Sequence, residues 1–200
     1  MITLYGSLRS RASRCAWALN ELGVEYKRDL LPDMGHKKPE FLRINPAGKA
    51  PALTDGVVTL SESLAINLYL AQRYGKGKLW PGNDADQAQA LQWTLWAATE
   101  AEPSTLTIAV ERLFKPEDQR NEAKAKEAEA ALQPRLAYLD AYLKGRSHLI
   151  GDSFTIADLN VACVLAATLV SKVDLGPYPE VQRWLTATAG RDAYTKAREG

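Results

Sequence analysis

The chain has 200 residues, with 25 Lys+Arg against 24 Asp+Glu and a formal net charge of +1, so there is no basic excess for nucleic acid or an anionic membrane to use. The longest apolar run, residues 161–170, is far short of the roughly 20 residues a membrane helix needs. Two cysteines with no Cys-x-x-Cys spacing and only two histidines point away from a disulfide framework and a histidine metal site, and towards reduced, packed thiols in a cytoplasmic protein.

Residues 2–5 read as a short apolar strand. Because the chain opens on it, no secretory leader is expected. Residues 11–22 carry apolar side chains at helical spacing and stop at Gly23, a C-terminal signal. A second strand is expected over 25–31 and a helical turn over 39–44. A third strand follows Pro51, and the hairpin signal Asp55-Gly56 leads to a fourth over 57–60. A helix then runs over 64–74. A strand–helix–strand unit followed by a hairpin and a helix makes an α/β sandwich on a small mixed sheet.

Residues 76–85, rich in Gly, Pro, Asn and Asp, read as a linker. Everything beyond is helical. A long helix over 87–114 contains Pro103, which predicts a kink. Pro116 and Glu117 are expected to open the next helix, running to about residue 143 and interrupted at Pro134. Its charge–alanine alternation over 122–131 is a solvated face. Thr155-Ile156-Ala157-Asp158 is a capping-box pattern before an almost wholly apolar helix, a structural signal rather than a catalytic Thr/Asp pair. A last pair of helices, split near Gly190, closes the chain. The expected organisation is a first domain over 1–77, a linker over 78–86 and an all-helical domain over 87–200.

Two segments carry the chemistry. Asn45-Pro46-Ala47-Gly48-Lys49-Ala50-Pro51-Ala52-Leu53 ends in a proline just before a short strand, where its missing N–H suits an edge or a turn. A cis bond there would turn the N–H and C=O of Ala50 outward, ready to pair with an extended ligand as a strand would. Glu62 and Ser63 stand at the start of the 64–74 helix, where free N–H groups and the positive helix end favour a carboxylate. The alternative readings are a plain turn and a plain N-cap. Together the segments form a site for the backbone and carboxylate of a small acidic peptide.

These motifs, with Leu4-Tyr5-Gly6, Ala18-Leu19-Asn20-Glu21-Leu22-Gly23, Glu62-Ser63-x-Ala65-Ile66 and Gly151-Asp152-x-Phe154-Thr155-Ile156-Ala157-Asp158, resemble the cytosolic glutathione S-transferase family over essentially the whole chain. The resemblance is to the serine-using theta, delta and phi classes. It implies a thioredoxin-like, glutathione-binding first domain and an all-helical second domain that contributes the site of an electrophile.

Such an enzyme activates a thiol. Moving a thiol pKa from about 8.5 to about 7 takes roughly 2 kcal/mol of preferential binding of the anion. One hydrogen bond to a charged acceptor is worth about 1.5–3 kcal/mol, so a single hydroxyl suffices. The resemblance assigns that hydroxyl to Ser10, at the junction of the first strand and first helix, where the helix dipole adds a little more. Ser7, Ser13 and Tyr5 are the alternatives. No cysteine stands in this loop, so the thiol-transfer chemistry of the cysteine-using members is not expected. Arg9 and Arg11 flank Ser10, either favouring the thiolate, contacting an acidic second substrate, or simply solvated.

The resemblance further implies His36, Lys37 and Lys49 on the glycyl carboxylate of glutathione, Ala50 pairing through its backbone with the cysteinyl part, Glu62 on the γ-glutamyl ammonium and Ser63 on its carboxylate. For His36 and Lys37 the alternative is a flexible basic loop. Expected partners are glutathione, as co-substrate with no other cofactor and no metal, and a hydrophobic electrophilic small molecule. A homodimer is expected, with no nucleic acid and no membrane. A non-catalytic binding or assembly module, or a glutathione-dependent isomerase, lyase or dehalogenase, is the alternative function.

Overall fold

The structure is a computed structural model that describes residues 1–7, 10–32 and 34–199. Backbone contacts divide the chain into two compact units, one of residues 1–82 with 190–200, the other of residues 83–189.

The first unit is built on a four-stranded sheet. Its strands are β1 (Ile2–Tyr5), β2 (Tyr26–Asp29), β3 (Ala52–Asp55) and β4 (Val58–Ser61), in the order β2-β1-β3-β4. β1 and β2 are parallel, joined by the helix α1 (Ala12–Leu22), while β3 and β4 are an antiparallel hairpin with β3 set against β1. Ile2 and Leu4 alternate inward from β1, as a period of two requires. α1 and α3 (Ser63–Tyr74) pack on the sheet and on each other. Trp17 and Leu19 of α1, Ile66 and Leu70 of α3, and Leu4 and Leu53 of the sheet close the core. The short helix α2 (Pro39–Leu42) brings Phe41 edge-on to the ring of Tyr5.

Gly6, directly after β1, has φ +142°. A Cβ there would lie 2.6 Å from the Cβ of Ala12, closer than carbon atoms can stand. Glycine is therefore what lets the start of α1 settle on the end of β1.

The final helix, α9 (Asp192–Arg198), also belongs to this unit, although the sequence groups it with the helical part. It packs on α1 through a polar seam. Arg191 makes two hydrogen bonds to Glu21, of 2.6 and 2.8 Å, and Asn20 and Arg28 donate to the carbonyls of Ala193 and Ala197.

The second unit is helical. α4 (Asp84–Trp96) is capped by Asn83, which accepts from the N–H of Asp86. A π-helical turn, Ala97–Ala101, separates it from α5 (Glu102–Ala109). Pro103 sits in the first turn of α5. Its missing N–H leaves the i→i−4 ladder one donor short, and where the sequence predicts a kink the helix passes through this π turn. A second π turn, Val110–Phe114, follows.

Two expectations for the next helix are corrected. Glu117–Gln119 is only a 3-10 turn, and α6 (Glu122–Leu143) starts after Asn121, whose side chain accepts from the N–H of Lys124. α6 also runs unbroken through Pro134. Pro134 lies on the exposed face, where the carbonyl that loses its partner is open to water. α7 (Ile156–Val170) is the buried centre of this unit, and α8 (Pro179–Ala189) packs against α6 and α7. Among the described residues, no helix is long and apolar enough to cross a membrane.

Candidate functional site

Sheet register gathers the site. Tyr5 at the end of β1 faces Asp29 at the end of β2 and Ala52 at the start of β3, and Ala52 faces Ser61 at the end of β4. One end of the sheet therefore launches four segments: 6–11, 30–37, 49–51 and 62–63. Every site residue expected from the sequence lies on one of them.

Ser10 is half-buried one residue before the N-cap of α1. Its Oγ accepts the N–H of Ala12 at 3.1 Å and donates to the carbonyl of Ser7 at 2.8 Å. The helix start thus holds the oxygen, and the proton goes to the carbonyl of an exposed residue. Ser13 donates back to the carbonyl of Ser10 at 3.0 Å, a local bond inside the first turn. Tyr5 packs against Phe41. Cys15 is fully buried, its Sγ 3.5 Å from the carbonyl of Ser63. The expectations for Arg9 lie outside the described residues, as do Leu8, Asp33 and Gly200.

The Ala50-Pro51 peptide is cis. Among the described residues, Ala50 makes no backbone hydrogen bond. The loop before it is braced by Asn45, whose side chain donates to the carbonyl of Lys49 at 2.6 Å and accepts the N–H of Ala47 at 3.2 Å. Ser10 and Ala50 both border Gly6: the point a Gly6 Cβ would occupy lies 3.0 Å from Ser10 Oγ and 3.4 Å from Ala50 Cβ.

His36 and Lys37 form the 3-10 turn Gly35–Lys37. It folds over the 45–48 turn, so that the corresponding Cβ point at Gly48 lies 3.2 Å from both Lys37 Nζ and the His36 carbonyl oxygen. Lys37 is thereby brought to the residue next to Lys49, and both lysines are exposed.

Glu62 occupies the N-cap position of α3 with φ +68°, and no side-chain cap bond is formed there. A non-glycine residue in that region carries of order 1–3 kcal/mol of strain, and such residues cluster at functional sites. The strain is held from both sides, by the pairing of Ser61 with Ala52 and by the bond from Ile66 N–H to the Glu62 carbonyl at 2.9 Å. Glu62 is exposed, whereas Ser63, the first helical residue, is only 4% exposed. Arg14 of α1 donates to Ser63 Oγ at 3.5 Å.

From the sequence alone neither Gly6 nor Arg14 is given a role at the site. Gly6 had a readable signal, a glycine between a strand end and a helix start. Arg14 lies in the first turn of α1, four residues after Ser10, but nothing local links it to Ser63.

A family model described as the glutathione S-transferase N-terminal domain matches residues 1–72, and one described as the C-terminal domain matches residues 101–192. Glutathione S-transferase 4 of Zea mays is 32% identical over 209 residues, spanning 99% of this chain and 92% of that protein. A glutathione S-transferase-I structure bound with lactoylglutathione is 30% identical with a TM-score of 0.89 and covers 98% of both chains. A theta class glutathione S-transferase from Xanthomonas axonopodis pv. citri, with glutathione bound, is 28% identical with a TM-score of 0.90, covering 100% of this chain and 97% of that one. With a mixed four-stranded sheet, a helical second unit and near full-length likeness to these proteins, the chain belongs to the glutathione S-transferase family.

Proposed function

We propose that this glutathione S-transferase binds glutathione along the sheet end and activates its thiol with Ser10. The observation that carries the reading is that Ser10 Oγ and Ala50 both border Gly6, within 3.0 and 3.4 Å of one point. A cysteinyl residue pairing with the backbone of Ala50 has its sulfur beside that hydroxyl. The Ser10 proton turns from the Ser7 carbonyl to the sulfur, and water replaces it at Ser7. Oγ keeps the N–H of Ala12, so the oxygen need not move. The thiol proton leaves to solvent, and the thiolate attacks an electrophilic carbon as the leaving group departs with its electron pair.

Lys37, Lys49 and His36 hold the glycyl carboxylate, Glu62 the γ-glutamyl ammonium and Ser63 its carboxylate. We place the enzyme in the cytoplasm as a homodimer acting in detoxification. Retention on immobilised glutathione, followed by turnover of a chlorinated dinitrobenzene, tests the reading. Retention without turnover of any electrophile would leave a binding module instead.

A further inference from the structure

We propose that Arg14 is a positioning residue that fixes the Ser63 hydroxyl as a hydrogen-bond donor, and so makes the site selective for a ligand carrying a carboxylate at its glutamyl end. The inference rests on the reading of Ser63 as the carboxylate-binding residue.

The argument begins with what each group can do. A serine hydroxyl has one proton and two lone pairs, and can donate or accept. A guanidinium has five N–H donors and no acceptor, and stays charged at every accessible pH. Arg14 Nη1 stands 3.5 Å from Ser63 Oγ, so towards Arg14 the hydroxyl can only accept. Ser63 is the first residue of α3, and no preceding helical turn offers a carbonyl to take its proton. The proton is left for a ligand. A carboxylate, which only accepts, matches that donor and the helix N-terminus.

A second contact from α1 reaches the same residue. Cys15, the next residue of α1, gives its Sγ–H to the Ser63 carbonyl at 3.5 Å. Adjacent residues of one helix thus contact both the backbone and the side chain of Ser63. Ser10 stands two residues before the same helix and accepts the N–H of its first residue, so the start of α1 sets the spacing between the thiol end and the glutamyl end of the ligand.

The test compares glutathione with an analogue lacking the glutamyl α-carboxylate, γ-aminobutyryl-cysteinyl-glycine. Arg14→Met keeps the apolar stem and removes every donor. Its Kd for glutathione should rise about tenfold or more, equivalent to about 1.4 kcal/mol. Its Kd for the analogue should stay near that of the wild-type protein, as should kcat at saturating glutathione. Arg14→Lys should recover part of the glutathione affinity, and it serves as the test if the methionine variant does not fold. In a Ser63→Ala background, Arg14→Met should cost little more. Equal losses with both ligands would make Arg14 a purely structural tie and overturn the proposal, as would unchanged glutathione affinity in both Arg14 variants. If Ser63→Ala itself leaves glutathione binding intact, the assignment of Ser63 fails and this inference with it. If Ser63→Ala weakens binding and Arg14→Met does not, only the inference fails.

Discussion

Trp184 of α8 donates its indole N–H to Oδ1 of Asp158, at the start of α7, across 2.9 Å, and both side chains are almost completely buried. The same oxygen accepts the N–H of Leu149 at 2.9 Å. The other oxygen accepts the N–H and the hydroxyl of Thr155, at 3.0 and 3.2 Å. One carboxylate therefore starts α7, anchors the loop before it and pins α8.

Asp158→Ala should accordingly cost more than a helix cap. Four buried donors lose their acceptor, and leaving even one such group unsatisfied costs about 1–3 kcal/mol, so a loss of at least about 3 kcal/mol is expected. Denaturant titration should show it, with glutathione affinity near normal in the folded fraction. Trp184→Phe should cost less, because three donors keep the carboxylate. A fully stable but inactive Asp158→Ala would mean that the residue acts in the chemistry.

Ser10→Ala should raise the pKa of bound glutathione by about one to two units, or about 1.4–2.7 kcal/mol. Turnover near neutral pH should fall roughly ten- to a hundredfold, with a much smaller change in glutathione affinity. Raising the pH should restore part of the rate. Because Oγ also caps the Ala12 N–H, stability should drop by about 1 kcal/mol as well. Titrating the thiolate absorbance in both proteins checks this, and superimposable curves would move attention to Ser13, Ser7 and Tyr5.

Ser63→Ala should weaken glutathione binding by about 1–3 kcal/mol through loss of a hydrogen bond to a charged group. Since no side-chain cap bond is formed at the start of α3, the cost to folding should be confined to the Arg14 contact and be smaller than the loss of binding. Calorimetry separates the two, and unchanged affinity would remove Ser63 from the site.

Gly6→Ala should damage both ends of the thiol site at once. The new methyl group would stand 2.6 Å from Ala12 Cβ and 3.0 Å from Ser10 Oγ, at a φ of +142° that side chains rarely adopt. The backbone alone should cost about 1–3 kcal/mol. Displacement of Ser10 should raise the bound-thiol pKa in the direction expected for Ser10→Ala. A variant with wild-type turnover and an unshifted thiol titration would show that Gly6 does not set the position of Ser10.

At the other end of the sheet, Tyr69 and Tyr74 both donate to Asp55 Oδ2, with Arg73 beside it. Burial opposes ionisation of Asp55. The bonds from Tyr74 and Tyr69 and the charge of Arg73 outweigh it and hold the carboxyl below its usual range. Burial, then the bond to Asp55, push the Tyr69 phenol up to about 12. A phenol with a raised folded pKa stabilises fully below its unfolded value, about 10, and the contribution is lost as pH climbs towards the folded value. The depressed carboxyl does the reverse, stabilising above about pH 4 and losing its contribution as pH falls further. Folding stability should therefore decline between about pH 10 and 12, and Tyr69→Phe should flatten that limb. Equal alkaline slopes in the two proteins would show that Tyr69 does not contribute to it.

Local chemistry made much of this protein legible in its sequence. The order of strands and helices follows from periodicity and turn residues. The bonds of Asn45 to Ala47 and Lys49, and of Thr155 to Asp158, run within a few residues, so the turn before Pro51 and the start of α7 have a form that local sequence can carry. What only the tertiary structure decided is which distant groups share an atom. Arg14 reaches Ser63 across a separation of 49 residues and Trp184 reaches Asp158 across 26. Arg28 meets the carbonyl of Ala197 across 169, which takes the last helix to the first unit. Pro134 is tolerated because packing places it on a solvated face, and Glu62 takes a strained φ because sheet register and the first turn of α3 hold it from both sides. Such contacts arise from packing and pairing rather than propensity, and a single sequence carries no local mark of them.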